Sequence, residues 1–337
     1  SANFPFCTIE PNLGVVNVPD PRLEKLEALV KPERVLPATV EIVDIAGLVR
    51  GASEGEGLGN QFLGNIRECH AIIHVLRCFE NDNIVHVDGS VNPIRDKETI
   101  DIELQLKALE TVEKRLEKVT RAAKAGDKKA AKEMDLLNHV KDALLTGVSA
   151  RAVQVADDEK ELLESFQLLT ANPVLYVCNV DEKSAKNGNA YVERVREAVK
   201  NEEAEIIVLA VATEADITEL ESYEERQMFL EDIGLDEPGA SKLIRAAYHL
   251  LNLQTYFTAG VKEVRAWTIH KGDTAPQAAG VIHTDFEKGF IRAEVIAYDD
   301  FITYGSEAKV KEAGKMRVEG KEYIVKDGDI MHFRFNV

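Results

Sequence analysis

Apolar residues gather in four short runs along the first two thirds of the chain: Thr39 to Val43, Ala71 to Leu76, Val174 to Val177 and Ile206 to Val211. Each is rich in β-branched residues and ends in polar or small ones. Runs of this length and character predict strands of a parallel sheet covered on both faces. Helical patterns lie between some of them, at Gly59 to Cys69 and Ala190 to Lys200. The alternation predicts a doubly wound α/β domain, whose ligands sit at the carboxyl ends of its strands. From about Glu98 to Leu145 the alternation stops. The chain there is charged, poor in Pro and Gly, and apolar at Ile102, Leu106, Leu109, Leu116 and Val119, which is helical spacing. Gly126-Asp127 breaks it as a turn, so an antiparallel helical hairpin projecting from the α/β domain is expected. After about Leu253 the pattern becomes β-rich, at Val264 to Ile269, Ile291 to Ala297 and Ile330 to Phe335, with turns at Lys271-Gly272-Asp273 and Lys326-Asp327-Gly328-Asp329. A separate small β or α+β module follows from that. No internal repeat or low-complexity tract is visible.

Length changes this picture little: 337 residues, 45% of them hydrophobic, suit a sizeable core and two or three domains. Charge changes it more. A formal −18 opposes binding of nucleic acid or anionic membrane through the whole surface, so any RNA contact needs a local basic patch. Lys107, Lys114, Arg115, Lys118, Arg121, Lys124, Lys128, Lys129 and Lys132 form such a run, though a solvated helix face interleaved with Glu would read the same way. Cys7, Cys69, Cys78 and Cys178 lack C-x-x-C spacing, and neither a signal peptide nor an apolar run of membrane-spanning length is present. A reduced, cytoplasmic location is expected, with no membrane contact. Ser1 runs straight into Ala-Asn-Phe-Pro-Phe-Cys-Thr without an initiator Met or a leading strand, and the chain is read as amino-terminally incomplete.

The strongest chemical signal is Thr39-Val-Glu-Ile-Val-Asp44-Ile-Ala-Gly47-Leu48. A carboxylate leaving the end of a buried strand can hold Mg²⁺ through water, and a Gly three residues on can bring its N–H to a terminal phosphate. An Asp capping the next helix, with Gly in a turn, is the plainer alternative. A second signal follows the strand Val174 to Cys178: Asn179-Val180-Asp181-Glu182 stands where phosphate-binding GTPases carry N-K-x-D. The missing Lys and the longer carboxylate both weaken guanine recognition, and a polar strand-end turn is the alternative. Ala212 and Thr213, ending the fourth run, would offer backbone contacts to the base. Thr8, upstream of both signals, is where such proteins place a second Mg²⁺ ligand that senses the γ-phosphate. Ras-like enzymes put a water-orienting Gln directly after the glycine; Leu48 cannot do that. His86, in a segment that follows the strand Ala71 to Leu76 and so should lie on the same rim, is the best substitute. A surface histidine in a strand-like run is the alternative. Gly55-Glu-Gly57-Leu-Gly59-Asn60 lacks the third Gly of a dinucleotide fingerprint and reads as a flexible loop, and His70 and His74 read as structural.

The stretches NFPFCTIEPN, VDIAGLVRGASEGEGLGNQFLGNIRE, RCFENDNIVHV and LNLQTYFTAGVKEVRAWT resemble the YchF/Obg-like ATPase family, and the likeness runs from Ala2 to Val337. The resemblance implies a doubly wound P-loop NTPase domain over 1–97 and 171–250, lacking its first strand and P-loop in this chain. It further implies an inserted antiparallel helical coiled-coil arm over 98–170 and a ubiquitin-like (β-grasp) TGS domain over 251–337. It carries Thr8 and Asp44 over as Mg²⁺ ligands, Gly47 as the phosphate-facing residue, and Asn179 to Glu182 as a base motif altered to prefer ATP. It points to His86 as catalytic. The expectation is a monomeric, Mg²⁺-dependent ATPase switch that engages the ribosome or its RNA. A GTPase of the Obg type, weakened by Val180 and Glu182, and a non-catalytic binding adaptor are the competing readings.

Overall fold

The computed structural model describes residues 12–45, 58–86, 88–202, 204–220 and 222–336, the side chains of 58–62 and 223 excepted. In chain order these form β1 (Asn12–Asn17), α1 (Pro21–Val30), β2 (Arg34–Leu36), β3 (Thr39–Asp44), α2 (Leu58–Arg67), β4 (Ile72–Arg77), α3 (Pro93–Lys124), α4 (Lys128–Leu145), α5 (Lys160–Glu164), β5 (Val174–Asn179), α6 (Ala190–Val199), β6 (Ile206–Leu209), α7 (Val211–Glu219), α8 (Tyr223–Asp232) and α9 (Gly239–Leu250). There follow β7 (Leu253–Ala259), β8 (Glu263–His270), α10 (Ala275–Ile282), α11 (Thr284–Lys288), β9 (Phe290–Ile296), α12 (Tyr298–Tyr304), α13 (Glu307–Glu312), β10 (Arg317–Glu319) and β11 (Ile330–Phe335). They fall into two compact units, one containing Val43–Lys242 and the other Gly14–Ile42 with Leu243–Val337.

In the first unit β4, β5 and β6 form a parallel sheet in that order, with Leu76 opposite Cys178 and Cys178 opposite Val208. Every residue of β5 is buried except Asn179 at its end, the burial expected of a central parallel strand. Val192, Val195 and Val199 of α6 pack on it. The helices α3 and α4 run along each other, joined where Gly126 takes φ +93° and the Asp127 carboxylate caps α4 through the N–H groups of Lys129 and Ala130. Their shared core is Ala108, Val112, Leu136, Leu137 and Val140. That core corrects the stripe read from the sequence. Leu116 and Val119 pack against it, but Ile102 and Leu106 are 54% and 45% exposed. The buried line runs instead through Leu104, Ala108 and Val112, four residues apart. Ala108 belongs to it because a small side chain lets the second helix approach closely.

The run Thr39 to Val43 is a strand, yet among the described residues it has no pairing with the parallel sheet. It pairs with β1, and Val40 is buried beside Leu23, Leu26 and Val264 in the core of the second unit. A strand joins the surface that buries its apolar face, and β2, paired in parallel with β8, leads the chain to that core. In the second unit six strands are ordered β10-β9-β11-β7-β8-β2, with α1 and α12 over one face and α10 over the other. The Arg22 guanidinium bonds Asp20 and Asp327, and the turn it meets needs Gly328: φ there is +87°, and a Cβ would stand 2.8 Å from Arg22 Nη1.

Candidate functional site

Two groups of residues converge at the carboxyl ends of β4, β5 and β6. The first is centred on Asn179. Its Oδ1 accepts the Val211 N–H at 3.1 Å, its carbonyl accepts the Cys78 N–H at 2.7 Å, and the next N–H, of Val180, donates to Leu209 O at 2.9 Å. All three strand ends are thereby tied to one residue. Val180, where a GTPase carries Lys, is 3% exposed and packs into the sheet core, so it presents no side chain to a ligand. Asp181 accepts the Ser184 N–H at 3.0 Å through Oδ1 and caps the turn Glu182–Ser184, and both Asp181 and Glu182 are exposed. The expected strand Ile206 to Val211 ends two residues early, at Leu209. Ala212 and Thr213 therefore lie in the first turn of α7, whose N–H groups lack intrahelical partners. Thr213 buries its side chain, so this segment offers backbone donors. Behind it the Glu214 carboxylate accepts the N–H groups of Gly239 and Ala240, at 2.7 and 3.1 Å.

The second group is the loop from β4 to α3. Arg77 donates to the carbonyls of Phe79, Ile84 and Asn81, at 3.2, 2.9 and 3.2 Å, folding Phe79 to Ile84 back on the strand end. His86 follows. It lies outside any strand and its side chain is only 14% exposed, which replaces the surface strand histidine weighed from the sequence. Its Nε2 is 2.8 Å from Asp96 Oδ2, and its Nδ1 accepts the Asp88 N–H at 3.1 Å. Arg95 bonds Asp96 and also pairs with Asp88 at 3.4 Å. Asn189 joins this loop to α6 by donating from Nδ2 to Cys78 O at 2.7 Å while capping the helix.

Thr8 and Gly47 lie outside the described residues. Asp44 ends β3 with an exposed carboxylate, and because β3 pairs with β1 rather than β4 it does not share a sheet with Asn179. An exposed carboxylate at a strand end fits a hard oxygen donor to Mg²⁺.

The likeness to known proteins spans whole chains. A protein named ribosome-binding ATPase YchF from Escherichia coli O157:H7 is 58% identical over 337 residues, covering all of this chain and 92% of its own. The Bacillus subtilis protein of that name is 54% identical over 339 residues, with the same coverage. The chain belongs to the YchF family. The YchF GTPase of Schizosaccharomyces pombe shares its fold at a TM-score of 0.87 and 39% identity, over 99% of this chain and 90% of that one. The family profile described as 50S ribosome-binding GTPase matches residues 1–114, and the YchF-GTPase_C profile, described as a protein of unknown function, matches 253–336. The YchF fold is thus a mixed α/β arrangement of the P-loop GTPase type. Within it Arg77 and Asn189 are the residues sequence reading missed. Both act on main-chain carbonyls, and no spacing rule marks such a role.

Proposed function

We propose that this chain is a Mg²⁺-dependent ATPase that serves as a nucleotide-controlled switch on the ribosome. The arrangement at Asn179 to Glu182 carries the reading of the base. Guanine offers a carboxylate two hydrogens, from N1 and the exocyclic amine, whereas adenine offers an acceptor at N1 and an amine at position six. With Val180 in the core and Glu182 at the fourth position, neither the Lys nor the short carboxylate of a guanine site stands in its place. A buried polar group left unpaired costs about 1–3 kcal/mol. Ala212 and Thr213 add main-chain donors, Asp44 and Thr8 would hold Mg²⁺, Gly47 would face the γ-phosphate, and His86 would orient the attacking water. Bound Mg²⁺ supplies charge neutralisation at the phosphate oxygens.

The names of the relatives, ribosome-binding ATPase, support both the reaction and the partner. The helical pair supports an RNA contact. Lys107 and Lys114 pair with Glu110, Arg115 with Glu133 and Lys132 with Asp158. Among the described residues, Lys118, Arg121, Lys124, Lys128 and Lys129 meet no carboxylate, and all five are exposed around the turn at Gly126. We read residues 98–170 as the coiled-coil arm and 251–337 as a TGS domain. Nucleotide titration of the full-length protein tests the base assignment: ATP should bind more tightly than GTP. Equal or tighter GTP binding would favour the Obg-type GTPase instead.

A further inference from the structure

The neutral imidazole of His86 has two hydrogen-bonding nitrogens, one donor and one acceptor. In this structure both are taken. The Asp88 N–H donates to Nδ1, which puts the ring proton on Nε2, and that proton goes to Asp96 Oδ2. No nitrogen is left for water. If His86 orients the attacking water, as proposed above, the ring must first give up one of these partners. The backbone N–H of Asp88 belongs to the same loop and can travel with the ring. Asp96 cannot. It sits in the first turn of α3, capped by Asn92, and the adjoining Lys97 is fixed by Asp101 at 2.6 Å and Glu202 at 2.7 Å, with its ammonium over the Tyr176 ring.

We infer that Asp96 is a positioning residue that latches His86 in a resting pose, so that release of the imidazole from Asp96 is a step the enzyme completes before hydrolysis. A metal site is the obvious rival, since His86, Asp88 and Asp96 bring their ligand atoms within 4.8 Å of one another. Arg95 argues against it. Its guanidinium lies 3.4 Å from Asp88 and 3.1 Å from Asp96, so a cation placed there would meet a fixed positive charge. Arg95 instead completes the latch by holding Asp96 Oδ1 and leaving Oδ2 to the ring.

Steady-state ATP hydrolysis by the full-length protein tests this with Asp96→Ala, Asp96→Asn, His86→Ala and the double variant. Asp96→Ala should raise kcat roughly 10- to 100-fold, the population gained when a hydrogen bond to a charged group is removed, with KM unchanged within about twofold. Asp96→Asn keeps an oxygen acceptor for Nε2–H and should lie between wild type and Asp96→Ala. On the His86→Ala background, removing Asp96 should change nothing. A kcat that falls or stays the same in Asp96→Ala, or that rises without His86, overturns the latch. Wild-type turnover in His86→Ala overturns the reading of His86 itself, which is a separate outcome. Imidazole ¹⁵N shifts of the unaltered protein read the same contact without a variant: an Nε2–H tautomer is expected, and an Nδ1–H tautomer would refute it.

Discussion

His86 and Asn179 show two ways a side chain can serve a strand-end site. Asn179 works by staying still. Its amide oxygen fixes the Val211 N–H and its carbonyl fixes the Cys78 N–H, so the loops leaving the three strands keep their spacing. On the proposed reading His86 can work only by moving, because a ring with both nitrogens occupied has neither free for water. Removing it should therefore leave ATP binding nearly intact while taking an interaction out of the transition state alone. His86→Ala is expected to lower kcat roughly 10-fold or more, a modest loss for a side chain that orients the attacking water. Equal falls in kcat and ATP affinity would instead mark a structural histidine. The residues of Asn179 to Glu182 were legible in the sequence because the strand, its exit and the turn are contiguous. The division of labour among them was not. That Val180 points inward and Asp181 caps a turn depends on the register of β5 against β6, which no single stretch encodes. Arg77 and Asn189 were invisible for a similar reason: the carbonyl that Asn189 meets belongs to Cys78, 111 residues away.

The packing of α3 on the sheet explains which elements the sequence concealed. α3 sets Lys97 and Asp101 beside Glu202 and Tyr176, charged positions by any hydropathy pattern, and Lys97, like Glu103 elsewhere on the helix, is nonetheless buried. Tyr176 donates to Glu202 at 2.6 Å, Glu202 pairs with Lys97 and approaches Arg151, and His74 packs 5.7 Å from the Tyr176 ring. Such a network satisfies its members only in three dimensions, so apolar spacing alone put the stripe at Ile102 and Leu106. The same reliance on apolar runs placed β3 in the parallel sheet, although its neighbours β2 and α1 take it to another core. Burial, opposed by Asp101 and Glu202 and aided by Lys97 and Arg151, lowers the His74 pKa to about 4. An unfolded histidine titrates near 6.5. As pH falls from about 6.5 to 4 the unfolded chain therefore takes up a proton the folded one refuses, and stability declines across that window, by about 3 kcal/mol in all. Above it the contribution is fully present. His74→Gln should flatten the dependence of the urea midpoint between those pH values, and an unchanged slope would remove His74 from acid unfolding.

For the whole molecule the governing numbers are a formal charge of −18 and a tip of five cations without carboxylate partners among the described residues. Replacing Lys118, Arg121, Lys128 and Lys129 with Ala should reduce co-sedimentation with ribosomes and flatten its salt dependence, since every phosphate that a cation neutralises accounts for about one unit of the slope. Unchanged binding at every ionic strength would reject the tip as the binding surface. The two charges also act over different ranges. At about 0.01 M salt the screening length is near 30 Å, so an approaching polyanion feels the repulsion of the whole acidic surface; at about 0.15 M it is near 8 Å, and only the groups about to touch are felt. On the proposed RNA contact, the net charge opposes a distant polyanion while the five cations attract one about to touch. The chain's association rate with ribosomes should accordingly pass through a maximum as salt is raised, first climbing as the body is screened and then falling as the tip is.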